Sequence, residues 1–260
     1  MAIKKHGLAR EVIGLSHRQK ALDQAVAMKA IDIPSMDVKQ AIVNADLVVL
    51  AASVDSIIKL LNTINPYLKR YCIVTDIGSA KASIVEKAEK TLSNPSFFIG
   101  AHPLTGSEKK GVENACADLF EGATCVLTPT NKTNQVAKQK TRYFWTKLGM
   151  EVKILSPYEH DEILAYVSHL PHLLAYGLVA SIPPHYLEFA SRGLKDTSRI
   201  AASSPQMWSD ICLANSKNVL HALDQCVLNL AHFRRAIVSG DHKELLRQFT
   251  KAQEMQQSIK

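Results

Sequence analysis

Four short runs carry side chains that can do chemistry. The first is Gly100-Ala101-His102-Pro103-Leu104-Thr105-Gly106-Ser107-Glu108-Lys109-Lys110-Gly111. The apolar run Phe97-Phe98-Ile99-Gly100 reads as a strand that delivers His102 to its C-terminal end, where parallel sheets hold their ligands. An imidazole there is placed to accept a proton near neutral pH, although a His after a strand is also often structural. The second run is Thr75-Asp76-Ile77-Gly78-Ser79-Ala80-Lys81, which ends another strand and opens a helix. Ser79 suits a helix N-cap. Lys81, a cation near a helix start, runs against the macrodipole and points to an anion nearby.

The third run, Val167-Ser168-His169-Leu170-Pro171-His172, puts two histidines on one helix face that Pro171 should bend. A metal pair is one reading, but no Cys or acidic residue complements it, so no metal is expected. The fourth is Gly193-Leu194-Lys195-Asp196-Thr197-Ser198-Arg199-Ile200-Ala201, followed by Met207-Trp208-Ser209-Asp210-Ile211. Arg199, in an otherwise apolar helical region, suits a carboxylate ligand or an internal pair with Asp196 or Asp210.

The elements that must position these residues change character along the chain. Residues 11–15, 46–52, 71–76, 97–100, 124–128 and 151–155 read as strands, with helical patterns such as 56–68 and 80–92 between them. Such alternation predicts an α/β fold, a doubly wound parallel sheet with helices on both faces. Beyond Ser156-Pro157-Tyr158-Glu159, a good helix start, the patterns are helical: 159–182, 184–191, 205–240 and 243–258. The expected domains are a dinucleotide-binding one over 1–155 and an all-α one over 156–260. The opening residues read as the end of a helix closed by Gly7, followed by what would be a second strand, and no G-x-G-x-x-G occurs. The sheet is therefore expected to lack its first strand and glycine-rich loop.

Bulk properties narrow the class. The 260 residues are 47% hydrophobic and 21% charged, as in globular proteins, with a net charge of +7. The basic residues are dispersed, which fits an anionic substrate and dinucleotide better than a nucleic acid. Five cysteines without a CxxC pair suggest a reducing, cytoplasmic setting rather than a disulfide framework. The N-terminus has no signal-peptide core, and apolar stretches of about ten residues are too short to span a bilayer.

Taken in order over residues 3–211, the four motifs resemble those of the prephenate/arogenate dehydrogenase family. The resemblance implies a Rossmann-like domain, a helical dimerisation domain and a homodimer. It implies oxidative decarboxylation of a cyclohexadienol in tyrosine biosynthesis, with hydride passing to NAD(P)⁺. His102 would be the catalytic residue and Ser79 would orient it. Arg199 would bind the ring carboxylate, and His172 and His169 would line the same pocket, with Trp208 as its wall or as core. Ser53 and Gly78 would contact the cofactor. At the end of the second strand an acidic residue would favour NAD, but Ser16 and Arg18 stand there and could bind a 2′-phosphate, so NADP is favoured. Two alternatives stay open: a β-hydroxyacid dehydrogenase-like enzyme, and a non-catalytic chain that only dimerises or binds substrate.

Overall fold

A computed structural model describes residues 1–105 and 111–259. Residues 106–110 of the His102 motif, including Lys109 and Lys110, lie outside the described residues. After the single-turn helix α1 (Ala2–Lys5), strands β1 (Ile13–Leu15) and β2 (Ile33–Ser35) pair in parallel across helix α2 (Gln19–Ala27). Helix α3 (Val38–Ile42) leads to β3 (Leu47–Leu50), α4 (Val54–Ile64), β4 (Ile73–Asp76), α5 (Ala82–Thr91) and β5 (Phe98–Pro103). β6 (Thr124–Thr128), α6 (Gln135–Lys147) and β7 (Glu151–Ile154) complete a second sheet of order β3-β4-β5-β6-β7.

The local physics is plain. Every residue of β4 is buried, as expected for a parallel strand covered on both faces. On α4, Val54, Ile57, Leu61 and Ile64 recur at helical spacing and form its buried stripe, while the Ser53 side chain accepts from Ser56 N–H. Ile-Pro-Ser gave no strand signal at β2. It pairs because Pro34 sits on an edge strand, where a missing donor is tolerated.

Ile13 of β1 and Val48 of β3 pack on one core cluster, around Ile57, Leu61, Ile84 and Val74. In a doubly wound order a further strand stands between the equivalents of β1 and β3. Among the described residues no strand fills that place. The sheet also departs from the all-parallel expectation, because β5 and β6 are antiparallel, with His102 opposite Val126. A parallel step needs a crossover of about a dozen residues or more, usually helical. Between β5 and β6 the described residues form only a 3-10 turn (Val112–Asn114), so the chain returns beside β5 in the opposite direction.

Helix α7 (Pro157–Leu164) begins as the sequence predicts. Ser156 Oγ accepts from Glu159 N–H (3.2 Å) and Glu159 Oε2 accepts from Ser156 N–H (2.8 Å). It runs through a π turn (Ala165–His169) into α8 (Leu170–Ala180). Pro171 has no N–H and its ring crowds the preceding turn, and a wider π turn accommodates both without breaking the helix. By length and apolarity this continuous run of 24 residues could cross a bilayer, contrary to the sequence estimate. Within it His160, Asp161 and His169 are buried in polar contacts. Residues 184–189 are 3-10 helix, followed by α9 (Arg192–Ser198), a 3-10 turn (Arg199–Ala202) and α10 (Pro205–Ala214).

By compactness the chain divides into Met1–Asn215 and Ser216–Lys260. The helical pattern over 205–240 is thus interrupted at Asn215, which has φ −116° and ψ 29°. The second unit holds α11 (Ser216–Ser239) and α12 (His242–Gln257). Gly240, at φ +66°, turns the chain between them, Asp241 caps α12, and Phe233 stacks on Phe249. Leu220, Val227, Leu228 and Ile237 remain exposed on α11.

Candidate active site

Strand β5 places His102 near its C-terminal end, paired on both sides by β4 and β6. His102 Nδ1 lies 2.8 Å from His160 Nε2, and the rings are tilted by 60°, so the contact is an edge-on hydrogen bond. His160 Nδ1 lies 2.8 Å from Asp161 Oδ1. The Asp161 carboxylate also accepts Lys81 N–H (2.7 Å) and Ala82 N–H (2.9 Å), and so caps α5 from another helix. That corrects Ser79 as the cap. Nor does Ser79 hydrogen-bond His102: the partner is His160, which the sequence reading did not single out. Ser79 lies instead with its backbone against His169.

Lys81 is fully buried. The anion its position demanded is Asp76, to which its Nζ bonds, while also donating to Ala101 O (2.8 Å). Asp76 in turn accepts from Gly78 N–H (2.8 Å) and Ala101 N–H (3.2 Å). This ion pair therefore ties the ends of β4 and β5 together one residue before His102. A buried pair gains little net stability against desolvation, but losing one partner is costly, so it fixes geometry more than it adds energy.

His169 is buried, and its Nδ1 lies 3.2 Å from Asn215 Nδ2, which also donates to Asp161 O (2.6 Å). Its ring meets Trp208 edge-on at 6.0 Å, and Trp208 stacks on His172 with centroids 3.5 Å apart and planes at 21°. His172 Nδ1–H donates to Ser168 O (2.9 Å). Arg199 lies close enough to act on His172 electrostatically. It pairs with neither expected acid: Asp196 meets Arg192, and Asp210 accepts from Gln206. Tyr176 on α8 donates to Ser203 O (2.9 Å), which holds the turn carrying Arg199 against α8. His102, His169, His172, Trp208 and Arg199 thus form one connected group.

Burial keeps all four histidines below the ordinary imidazole value. For His102 burial acts first, then the neighbouring His160, Lys81 and His169, and its pKa lies well below 6.5. Burial lowers His160 as well, opposed by Asp161, and pushes His169 down to about 4. His172 falls through burial, with Arg199 adding to it. Neutral imidazoles are acceptors as well as donors, which a proton acceptor requires.

The expected cofactor residues lie at the C-terminal ends of the parallel strands. Ser16 follows β1 and its Oγ accepts from Arg18 N–H (3.1 Å). Arg18 is exposed and enters no ion pair with another described residue. Ser53 follows β3 at the start of α4. Gly78 follows β4, where a Cβ would stand 2.6 Å from Ile84 Cδ1 and 2.9 Å from Asp76 Oδ2, a packing reason for glycine in itself. Hydroxyls, a helix N-terminus and a free guanidinium at strand ends fit an anionic dinucleotide.

A Rossmann-like sheet followed by helices, with a half-buried His at a strand end, defines a nucleotide-dependent dehydrogenase architecture. Residues 1–154 match the prephenate dehydrogenase nucleotide-binding domain, and residues 156–251 match the prephenate dehydrogenase dimerization domain. The chain belongs to the prephenate dehydrogenase family. It is 31% identical to a cyclohexadienyl dehydrogenase of Zymomonas mobilis over 92% of this chain and 83% of the relative. It is 30% identical to a prephenate dehydrogenase of Bacillus subtilis over 100% of this chain and 72% of the relative. The crystal structure of A. aeolicus prephenate dehydrogenase with hydroxyphenyl propionate and NAD⁺ superposes with a TM-score of 0.92 at 30% identity, covering 100% of this chain and 92% of that one. The matched nucleotide-binding domain and that neighbour's NAD⁺ support a nicotinamide cofactor.

The histidine shifts have a consequence for stability. Between the unfolded pKa near 6.5 and the folded value, about 4 for His169, the unfolded chain binds protons that the folded one refuses. Stability is therefore fully present above about pH 6.5 and declines as pH falls toward 4. Urea midpoints at pH 7.5 and pH 5 should show this loss, and His169→Gln should reduce the difference between them.

Proposed function

We propose that the chain oxidatively decarboxylates prephenate or arogenate, with NADP⁺ preferred over NAD⁺ as hydride acceptor. The observation that supports this best is His102: its Nδ1 is engaged by His160, and its Nε2 has no hydrogen-bond partner among the described residues. That nitrogen receives the ring-hydroxyl proton as hydride departs and carbon dioxide leaves the same ring, which becomes aromatic. The bound nicotinamide supplies the hydride acceptor. Because aromatisation drives the reaction, the chain's own task is to position the substrate and accept one proton. Arg199 holds the ring carboxylate by paired charge-assisted bonds. His172, aligned by Ser168 O and stacked on Trp208, would contact the substrate beside Arg199, with His169 behind it against Trp208. Ser79 borders the site beside His169.

Ser53, Gly78 and Ser16 approach the dinucleotide, and the unpaired Arg18 meets a 2′-phosphate. Residues 1–155 form the nucleotide-binding part and 156–260 the helical part. The match to a dimerization domain and the exposed leucines of α11 favour a homodimer.

Activity is read as cofactor reduction with prephenate and with arogenate. No reduction of either cofactor with either substrate would overturn the reading. His102→Asn should lower kcat by about 10²–10⁴ while leaving the circular dichroism spectrum unchanged. Arg199→Ala should raise KM with kcat little changed, a loss of roughly 2–5 kcal/mol of carboxylate binding. Arg18→Ala should lower kcat/KM for NADP⁺ by about tenfold or more and leave NAD⁺ nearly unaffected, a loss of roughly 1.4 kcal/mol or more.

A further inference from the structure

We propose that His160, held by Asp161, is a positioning residue that locks His102 in the tautomer with a bare Nε2 and takes over its positive charge during turnover. The charge-transfer half rests on the function proposed above, whereas the tautomer half does not.

The hydrogen-bond chain dictates the proton positions. The Asp161 carboxylate accepts two backbone N–H groups at the start of α5 and has no proton to give. The hydrogen between it and His160 Nδ1, 2.8 Å away, therefore belongs to His160. Neutral His160 then presents a lone pair at Nε2. His102 Nδ1 lies 2.8 Å from that lone pair, and two facing lone pairs at this distance would repel, so His102 carries its hydrogen on Nδ1. His102 Nε2 is left as the acceptor. Burial supports the neutral forms of both rings.

The same chain gives the proton a path. A proton arriving from the substrate hydroxyl forms an N–H bond at His102 Nε2. The His102 Nδ1–H bond breaks and its hydrogen moves to His160 Nε2, leaving His102 neutral and His160 an imidazolium against the Asp161 carboxylate. No atom is lost and Asp161 stays a carboxylate throughout. The surroundings favour this end state. Burial and Lys81 lower His160, but Asp161 and Asp76 oppose them, whereas at His102 burial, His160, Lys81 and His169 all act in the lowering direction. Asp161 is itself held by the α5 N-terminus and, through its backbone carbonyl, by Asn215.

The test is long-range ¹H–¹⁵N correlation spectroscopy on histidine-labelled protein without substrate, with kinetics alongside. Wild-type His102 should show a protonated Nδ1 and an unprotonated Nε2. In His160→Leu it should move to the Nε2–H form, and kcat should fall about 10²-fold with KM within about threefold. In His160→Gln, whose side-chain oxygen can accept from Nδ1 but cannot carry the proton, the Nδ1–H form should persist while kcat stays lowered. A wild-type His102 already in the Nε2–H form would overturn the proposal, as would an unchanged tautomer in a folded His160→Leu protein or full kcat in His160→Gln. If wild-type protein reduces neither cofactor, the function reading fails, and the tautomer spectrum still decides the lock.

Discussion

The site hangs on one carboxylate. Asp161 reaches out of α7 to cap α5, orients His160, and has its own backbone held by Asn215 at the end of α10. A helix N-terminus offers unpaired N–H groups and partial positive charge, and a buried carboxylate is the strongest partner for both. The interaction that secures the packing of α7 on α5 is therefore the one that aims the histidines. Lys81 joins the arrangement from the other side, through its backbone to Asp161 and its side chain to Asp76. Two buried acids and one buried lysine thus set the ends of β4, β5 and α7 relative to one another.

Much of this was legible in the sequence. The apolar run ahead of His102 forms a strand as expected, but the strand continues through His102 and Pro103, which pair with β6 where a turn was expected at Pro103. The helix opening at Ser156 carries its capping box. The cation at Lys81 signalled a nearby anion, which proved to be internal. The partner of His102 was missed because it lies 58 residues away, inside a segment that reads first as a helix start. A signal was there all the same. Pro157, His160, Asp161 and Leu164 are the buried positions of α7, so two polar residues occupy its core-facing stripe. Polar residues on a core-facing stripe must be satisfied by another element. The reversal of β6 was not legible, since alternation of strands and helices does not specify direction where the intervening helix is absent.

Charge is arranged unevenly across the site. The histidines are held neutral by burial, while Arg199 and Arg18 stay exposed and free of the nearby acids. The imidazoles are thereby held in buried or half-buried positions, and fixed cations stand exposed.

The π turn over Ala165–His169 has a further implication, for sequence length. Such a turn spends about one residue more than an α turn, and each residue advances an α-helix by roughly 100°. Upstream of it, Asp161 faces α5 and His160 faces His102. Downstream, His172 faces Trp208. Wound as regular α geometry with the same number of residues, the segment would swing the two halves out of phase by about a quarter turn. Each half could still fold, yet His160 and His172 would no longer keep their present orientation to one another. The chain between His160 and His172 is thus a spacer whose count is constrained even where its residue identities are not.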